Sequence, residues 1–185
     1  MSTLTIERSV IDFAESRNGA WLERLKAENP DLESGTIDRI IVGIGPGSFA
    51  GIRAAIAFAQ GYALGKACEV LGLTSAAALA KEGEAIAVVG DARQGKMWIA
   101  LFDSFNLVAP VFQIAAEDVE KRVPRNMKVV SPDHSRIGEA LKEAFGERYA
   151  GEAIPSAAGL AAAAAANPSL LAPDPRPIYL NPAVR

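Results

Sequence analysis

The chain predicts an α/β fold in two lobes, on three observations. The run RIIVGI (39–44), the glycine-rich stretch GIGPGSFAGIR (43–53), an Ala-rich segment (50–66) and EVLGLT (69–74) succeed one another as strand, turn, helix and strand. That is one βαβ unit, with short branched runs of the kind buried on both faces of a parallel sheet. The texture then changes, because AIAVVG and KMWIALF flank DARQ as a β-hairpin would. Finally, SRIGEALKEAFG sets Ile137, Leu141 and Phe145 on one helical face and ends at Gly146. The seam falls near 80–84. It separates an incomplete N-terminal βαβ lobe (1–82) from a hairpin-led lobe (83–155), with an Ala-rich helix and extended tail (156–185) packing back on the body.

Taken in order, STLTIE alternates as a strand does. Residues 18–28 read as a helix with Asn18 as cap, Trp21, Leu22 and Leu25 as its face, and Pro30 as its stop. After the βαβ unit, Ser75 is placed to cap a short Ala-rich helix ending near Gly83. LVAPVFQI adds a third strand to the hairpin, pushed to an edge by Pro110. AAEDVEKRV reads as a short helix and MKVVS as a strand. SAAGLAAAAAA is a helix of small side chains stopped by Asn-Pro, since alanine and leucine are good helix formers. PDPRPIYLNP reads as an extended return to the body.

Composition narrows the function classes. The 185 residues are 50% hydrophobic with a net charge of -3, enough for a real core and poorly suited to gripping nucleic acid alone. No apolar run is long enough to span a bilayer, and the start lacks the layout of a signal peptide, so the expectation is a cytoplasmic chain with no membrane contact. One cysteine, Cys68, allows neither an internal disulfide nor a CxxC site; at the start of a buried strand it reads as inert. One histidine, His134, cannot supply an HExxH pair, and no acidic cluster suggests a metal.

The stretch 43–53 admits several chemistries. GYALGKA (61–67) is one residue short of a Walker loop, ends in Ala67 and falls inside a helix. Gly45, Gly47 and Gly51 form a loose GxGxxxG after a strand, which leaves a dinucleotide-binding oxidoreductase as an alternative. The acid that should hold the ribose is misplaced, however, since Glu69 begins the next strand, and Pro46 removes an amide donor. Ser48 lacks the flanking glycines of a nucleophile elbow, having Pro46 and Ala50 there, and reads as a helix N-cap. Gly45 and Gly47 permit positive φ, with Pro46 setting the bend between them. In the helix that follows, Ala50, Ala54, Ala57, Gly61 and Gly65 make a stripe almost without side chains. Glycine inside a helix costs roughly 1 kcal/mol against alanine, so the stripe serves a close approach. Either the helix lies tight on its own sheet or another subunit lies against it; the spacing is compatible with both.

These residues resemble a known family. IDRIIVGIGPGSFAGIRAAIAFAQGYALG is similar to the GPGSFTGLR segment of the TsaB (YeaZ) family, LTSAAALA to its next segment, VVGDARQGKMWIALF to its DAR hairpin and RPIYLNPAVR to its closing PxYLRP, in the family's order. The resemblance implies the actin-like ATPase and Hsp70-superfamily (ribonuclease H-like) fold in two lobes. No IDTS-like motif precedes the helix at 18–28, so the N-terminal lobe is expected to be truncated by roughly its first strand pair. Ala50 stands where the family commonly has Thr, and Asn181 where it has Arg. The implied role is a non-catalytic partner subunit in making N6-threonylcarbamoyladenosine (t6A) in tRNA. Its partners would be TsaD, which moves the threonylcarbamoyl group from its adenylate to the adenosine, and the ATPase TsaE. Alone it would form a homodimer; tRNA would be reached only through the complex. No cofactor is expected on this chain itself, with ATP or ADP belonging to a TsaD–TsaE complex.

Carried over, the resemblance puts Gly45, Pro46, Gly47, Ser48, Phe49, Gly51 and Arg53 at or beside an interface, which the stripe extends through Ala54, Ala57 and Gly61. Asp91 and Arg93 in the hairpin turn are further interface candidates, although a local account suffices: an Asx-type turn bond and a solvated guanidinium. Arg53 reads either as a surface cation or as the mate of a partner's carboxylate, and since it gains nothing from the positive end of its helix a specific acidic partner is worth seeking. Trp98, Tyr149 and Tyr179 read as core or edge packing. A degenerate homodimeric paralogue without t6A activity is the other reading; a peptidase is unsupported, since metal ligands and a Ser–His pair are both missing.

Overall fold

The computed structural model describes residues 3–6, as backbone, and 37–180; the helix expected at 18–28 and Asn181 lie outside the described residues. The described residues form two compact units, one of 3–6, 37–78 and 156–178, the other of 79–155 and 179–180. Residues 156–178, the greater part of the stretch expected to pack back on the body, belong to the first unit.

The first unit is built on a three-stranded parallel sheet in the order β1-β2-β3, from β1 (Thr3–Ile6), β2 (Arg39–Gly43) and β3 (Glu69–Leu73). The register sets Leu4 beside Ile40 and Ile40 beside Val70. β1 falls within STLTIE, where a strand was expected, and offers β2 a parallel partner. Helix α1 (Phe49–Lys66) crosses from β2 to β3 and buries Ile52, Ala55, Ile56 and Ala59 against Ile40 and Val42. These four recur at three- and four-residue spacing, so they share one face. Ala67, in the left-handed region at φ 52°, ends the helix.

Ser75 differs from its expected role. Instead of capping a helix to Gly83, it begins one short 3-10 stretch, Ser75–Leu79, and its hydroxyl turns back to Gly45. Helix α4 (Ala157–Ala166) completes this unit and is capped by Ser156 accepting from the Gly159 amide at 3.0 Å. It runs beside β1 and β2 and buries only Leu160, Ala163 and Ala164. A Cβ on Gly159 would strike the Ala78 carbonyl, so the missing side chain sets how closely the helix lies. Beyond it, Ala172 and Gly72 exchange two 2.8 Å backbone hydrogen bonds, and the Ile178 amide donates to the Ile44 carbonyl at 2.8 Å.

The second unit holds a sheet in the order β6-β5-β4-β8-β9, with β7 also pairing β5. Its strands are β4 (Ala85–Arg93), β5 (Lys96–Asp103), β6 (Asn106–Leu107), β7 (Phe112–Ala115), β8 (Lys128–Ser131) and β9 (Tyr149–Glu152). β4 and β5 are the antiparallel hairpin, whereas β8 runs parallel to β4 and β9 to β8. LVAPVFQI contributes two short strands rather than one, because Pro110 falls between β6 and β7. Helix α2 (Val119–Arg122) is a single turn, and α3 (His134–Phe145) carries the amphipathic face. Leu141 and Phe145 from α3 pack with Val89, Ile99 and Val129 from three strands, and Ile137 joins them partly buried.

Gly90 and Trp98 are cross-strand partners, and the indole lies where a Gly90 side chain would be. Trp98 is itself buried, so it cannot swing out cheaply. Gly90→Ala is expected to destabilise the protein by an overpacking cost of about 1 to 3 kcal/mol. Urea unfolding of the two proteins side by side checks this, and an unchanged midpoint would contradict it.

Candidate functional site

The turn between β2 and α1 is held from three directions. The Gly45 amide donates to Ser75 Oγ at 3.1 Å, while the Gly45 carbonyl accepts both from the Ser75 amide and from Thr74 Oγ1, each at 2.8 Å. One residue earlier, the Ile44 amide donates to the Leu73 carbonyl at 2.9 Å and the Ile44 carbonyl accepts from Ile178. Thr74 is buried, so its hydroxyl needs this partner. Gly45 takes φ 101°, and a Cβ there would lie 2.8 Å from Ile52 Cδ1. Gly47 was expected to share the positive φ and does not; Gly45 alone makes the reversal. The amide a dinucleotide loop would turn toward a pyrophosphate is thus already donated to Ser75.

Gly45 and Pro46 are buried, Gly47, Ser48 and Phe49 are exposed, and Gly51 is half-buried. Ser48 is the N-cap, accepting from the Gly51 amide at 3.4 Å. From there the face of α1 opposite the sheet carries Arg53, Ala57 and Gly61, all exposed, with Ala54 half-buried at its margin. A Cβ at Gly61 or Gly65 meets nothing within 4 Å. The side of α1 that packs on the sheet is the Ile52, Ala55, Ile56, Ala59 side, so the two glycines do not serve a tight fit to it. Two large apolar side chains stand out from the same helix, Phe49 at 58% and Leu64 at 89% exposure. The Arg53 guanidinium sits 5.0 Å from the Phe49 ring centroid. Among the described residues Arg53 forms no ion pair with a carboxylate.

A second group gathers in the other unit. Asp91 and Arg93 lie in the last residues of strand β4 rather than in the turn itself, which is Gln94-Gly95; Arg93, Gln94 and Gly95 take φ of 68°, 53° and 70°. Asp91 Oδ1 accepts from the Arg93 amide at 2.8 Å, the expected Asx-type bond. Its other oxygen meets Arg136 Nε at 3.0 Å and Arg93 Nη1 at 3.3 Å. The Asp91 amide donates to Asp133 Oδ2 at 3.0 Å, and Asp133 in turn pairs with Arg136. The Asp91 and Asp133 carboxylates are only 14% and 12% exposed, so each charge is compensated where water is scarce. Asp133 and Arg136 were not singled out from the sequence; their i, i+3 spacing at a helix start after a proline was the signal available. Nearby, His134 opens α3 and hydrogen-bonds through Nδ1 to the Tyr149 hydroxyl at 2.8 Å. Burial first, then Glu152 and Glu139, push the Tyr149 phenol up.

Among the described residues no three His, Cys, Asp or Glu side chains form a group that could hold a metal ion. No described helix is long and apolar enough to cross a membrane.

Three comparisons bear on these sites. The family model of TsaD, tRNA N6-adenosine threonylcarbamoyltransferase, matches residues 17–171. Uncharacterised proteins of Mycobacterium bovis and Mycobacterium tuberculosis are 30% identical over 134 residues, 71% of this chain and 59% of theirs. The chain thus aligns with well under two thirds of those relatives' length. Among solved structures, a Pseudomonas aeruginosa protein described as similar to the peptidase YeaZ superposes with TM-score 0.64 at 20% identity, covering 88% of this chain and 82% of that one. YeaZ from Pseudomonas aeruginosa gives 0.61 at 22%, covering 79% and 73%. The chain has the mixed α/β, actin-like fold of these structures.

Gly45→Ala tests the turn. The new methyl must meet Ile52 while the backbone holds a positive φ, so a loss of about 1 to 3 kcal/mol is expected. Ser75→Ala, which strips the Gly45 amide of its partner, is expected to cost about 1 kcal/mol or more. Thermal unfolding of both variants checks the order, and a neutral Gly45→Ala would show that the turn is not held as described.

Proposed function

The chain belongs to the TsaD family, tRNA N6-adenosine threonylcarbamoyltransferase, and from that premise we propose that it is a non-catalytic partner subunit in t6A formation. Its partner is a TsaD homologue, which carries out the transfer, with a TsaE homologue joining the pair. The observation that carries this reading is the outward face of α1, where Gly61 and Gly65 are open and Phe49 and Leu64 stand exposed. Small residues let two helix backbones approach closely, and apolar side chains at the margins gain by leaving water. A face of this kind fits a second helix better than it fits a small molecule.

The turn supports the same role. Gly45 fixes where α1 starts, Ser48 caps it, and Arg53 with Phe49 forms a cation–aromatic pair at the near end of the face. Arg53 then has a charge to offer a partner's carboxylate. Asp91 and Arg93, placed earlier among interface candidates, differ in exposure: the Asp91 carboxylate is largely covered within its unit, whereas the Arg93 side chain, although paired with Asp91, is 67% exposed and open to a partner on its outer side. In the absence of a TsaD homologue the α1 face is expected to pair with a second copy of the chain. A homodimer without t6A activity is the competing reading, and it predicts self-association that a TsaD homologue cannot displace.

Gly61→Leu separates these outcomes. The added side chain meets no described atom within 4 Å of its Cβ, and leucine is the better helix former by roughly 1 kcal/mol, so the subunit should remain folded. It should fail to dimerise by light scattering and fail to co-purify with the TsaD homologue. A wild-type chain that forms no complex with that homologue rules out the partner role. A Gly61→Leu chain that still forms one moves the interface away from this face.

A further inference from the structure

The stretch Lys121–Lys128, KRVPRNMK, holds four cations and no acid, in a chain whose net charge is -3. The fold adds a fifth. Strands β8 and β9 pair in parallel with Val129 beside Tyr149, so Lys128 and Arg148 enter the sheet side by side. Arg148 Nη1 donates to the Pro124 carbonyl at 3.0 Å, which ties the start of β9 to the turn before β8. Val123 and Met127 are buried and anchor this turn, leaving Arg122, Arg125 and Lys128 exposed around it.

Lys121 is paired with Asp118 at 2.7 Å. Arg122, Arg125, Lys128 and Arg148 have no ion pair among the described residues. Two of them are nevertheless held in place: Arg122 lies 5.6 Å from the Phe112 ring centroid and Arg148 lies 5.0 Å from that of Phe145. Stacking on a ring fixes a guanidinium plane while leaving its edge donors available. Glu120 and Glu147 flank the group in sequence but pair with none of its members.

We infer that Arg122, Arg125, Lys128 and Arg148 form a docking site for the phosphate backbone of RNA. Several fixed or exposed cations at one end of a sheet, lacking acids of their own, suit a run of evenly spaced phosphates better than a single anion. The choice of RNA over an acidic protein rests on the chain's proposed place in a tRNA-modifying assembly. Net charge argued against binding nucleic acid alone, but a local patch acts within about a Debye length, and the far acids are screened. The site would add a direct contact to tRNA that a partner subunit holds in place. It carries no base readout, so it steadies tRNA without selecting sequence.

The test compares two triple variants of equal charge. One is Arg122→Ala/Arg125→Ala/Lys128→Ala; the other, Lys81→Ala/Lys96→Ala/Lys142→Ala, removes three exposed cations elsewhere. Arg148 is left in place because it ties two segments together. Binding of an unmodified tRNA transcript is followed by fluorescence anisotropy between about 50 and 200 mM salt, with the chain alone and with the TsaD homologue present. The patch variant should lower the steepness of log affinity against log salt by roughly 2 to 3 and weaken binding at the low-salt end, while the control stays near wild type. Equal behaviour of the two variants, in both settings, overturns the site. So does a patch variant that keeps tRNA affinity but no longer co-purifies with the TsaD homologue, which would make the patch a protein contact. If the wild-type chain does not pair with that homologue yet shows patch-dependent tRNA binding, the partner role fails and the RNA site stands.

Discussion

Most of the first unit depends on how Gly45 is held. Its amide and carbonyl are both satisfied from the Thr74–Ser75 corner at the end of β3, so the two strand ends of the βαβ unit are tied to each other as well as through the sheet. Each such hydrogen bond contributes only about 0.5 to 1.5 kcal/mol net. Their directional effect is larger than that figure suggests. With Gly45 fixed, Ile52 comes down on the turn and Ile56 and Ala59 follow onto the sheet. The opposite face of α1, smooth and open, is pointed outward by the same geometry. The corner residues therefore govern the presentation of a surface they do not touch.

The βαβ unit, the hairpin and the amphipathic helix were legible because their signals are local and periodic. Ile40, Val42, Leu141 and Phe145 lie buried where the spacing put them. Strand β9 was not legible, since YAGE has no branched residue and forms a strand only because β8 offers it a partner. The stripe on α1 was legible as a pattern but not as a direction. Spacing places Ala57 and Gly61 on one side, yet only the packed Ile52 and Ala55 say which side faces solvent. The use of Ser75 was missed for a related reason: a serine before a helical run reads as its cap, and nothing local shows a glycine thirty residues earlier competing for the hydroxyl. Asp91 and Asp133, 42 residues apart, met only through folding of their unit.

Charge in this chain is informative by placement, not by sum. The largely covered Asp91 and Asp133 carboxylates are compensated by the more exposed Arg93 and Arg136, and an unpaired carboxylate there would be costly. The cations around Pro124 are treated oppositely, kept solvated and backed by aromatic rings instead of carboxylates. The first arrangement holds the tip of a hairpin against a helix; the second leaves charge available. Both lie in the second unit, whereas the smooth apolar helix belongs to the first.

The first unit is discontinuous in the chain, with residues 156–178 returning to complete what residues 1–78 begin. On a ribosome that order matters. The hairpin, β8, α3 and β9, all between Ala85 and Glu152, emerge and can pair while the first sheet still lacks α4 and the Ala172–Ile178 segment. The Ile44 carbonyl has its Ile178 donor only after the whole run 79–155 has been made. Helix α1 and its Gly45 corner are made early, but the unit to which they belong closes only after the second has emerged. Vectorial synthesis thus lets the second unit assemble before the first can be completed.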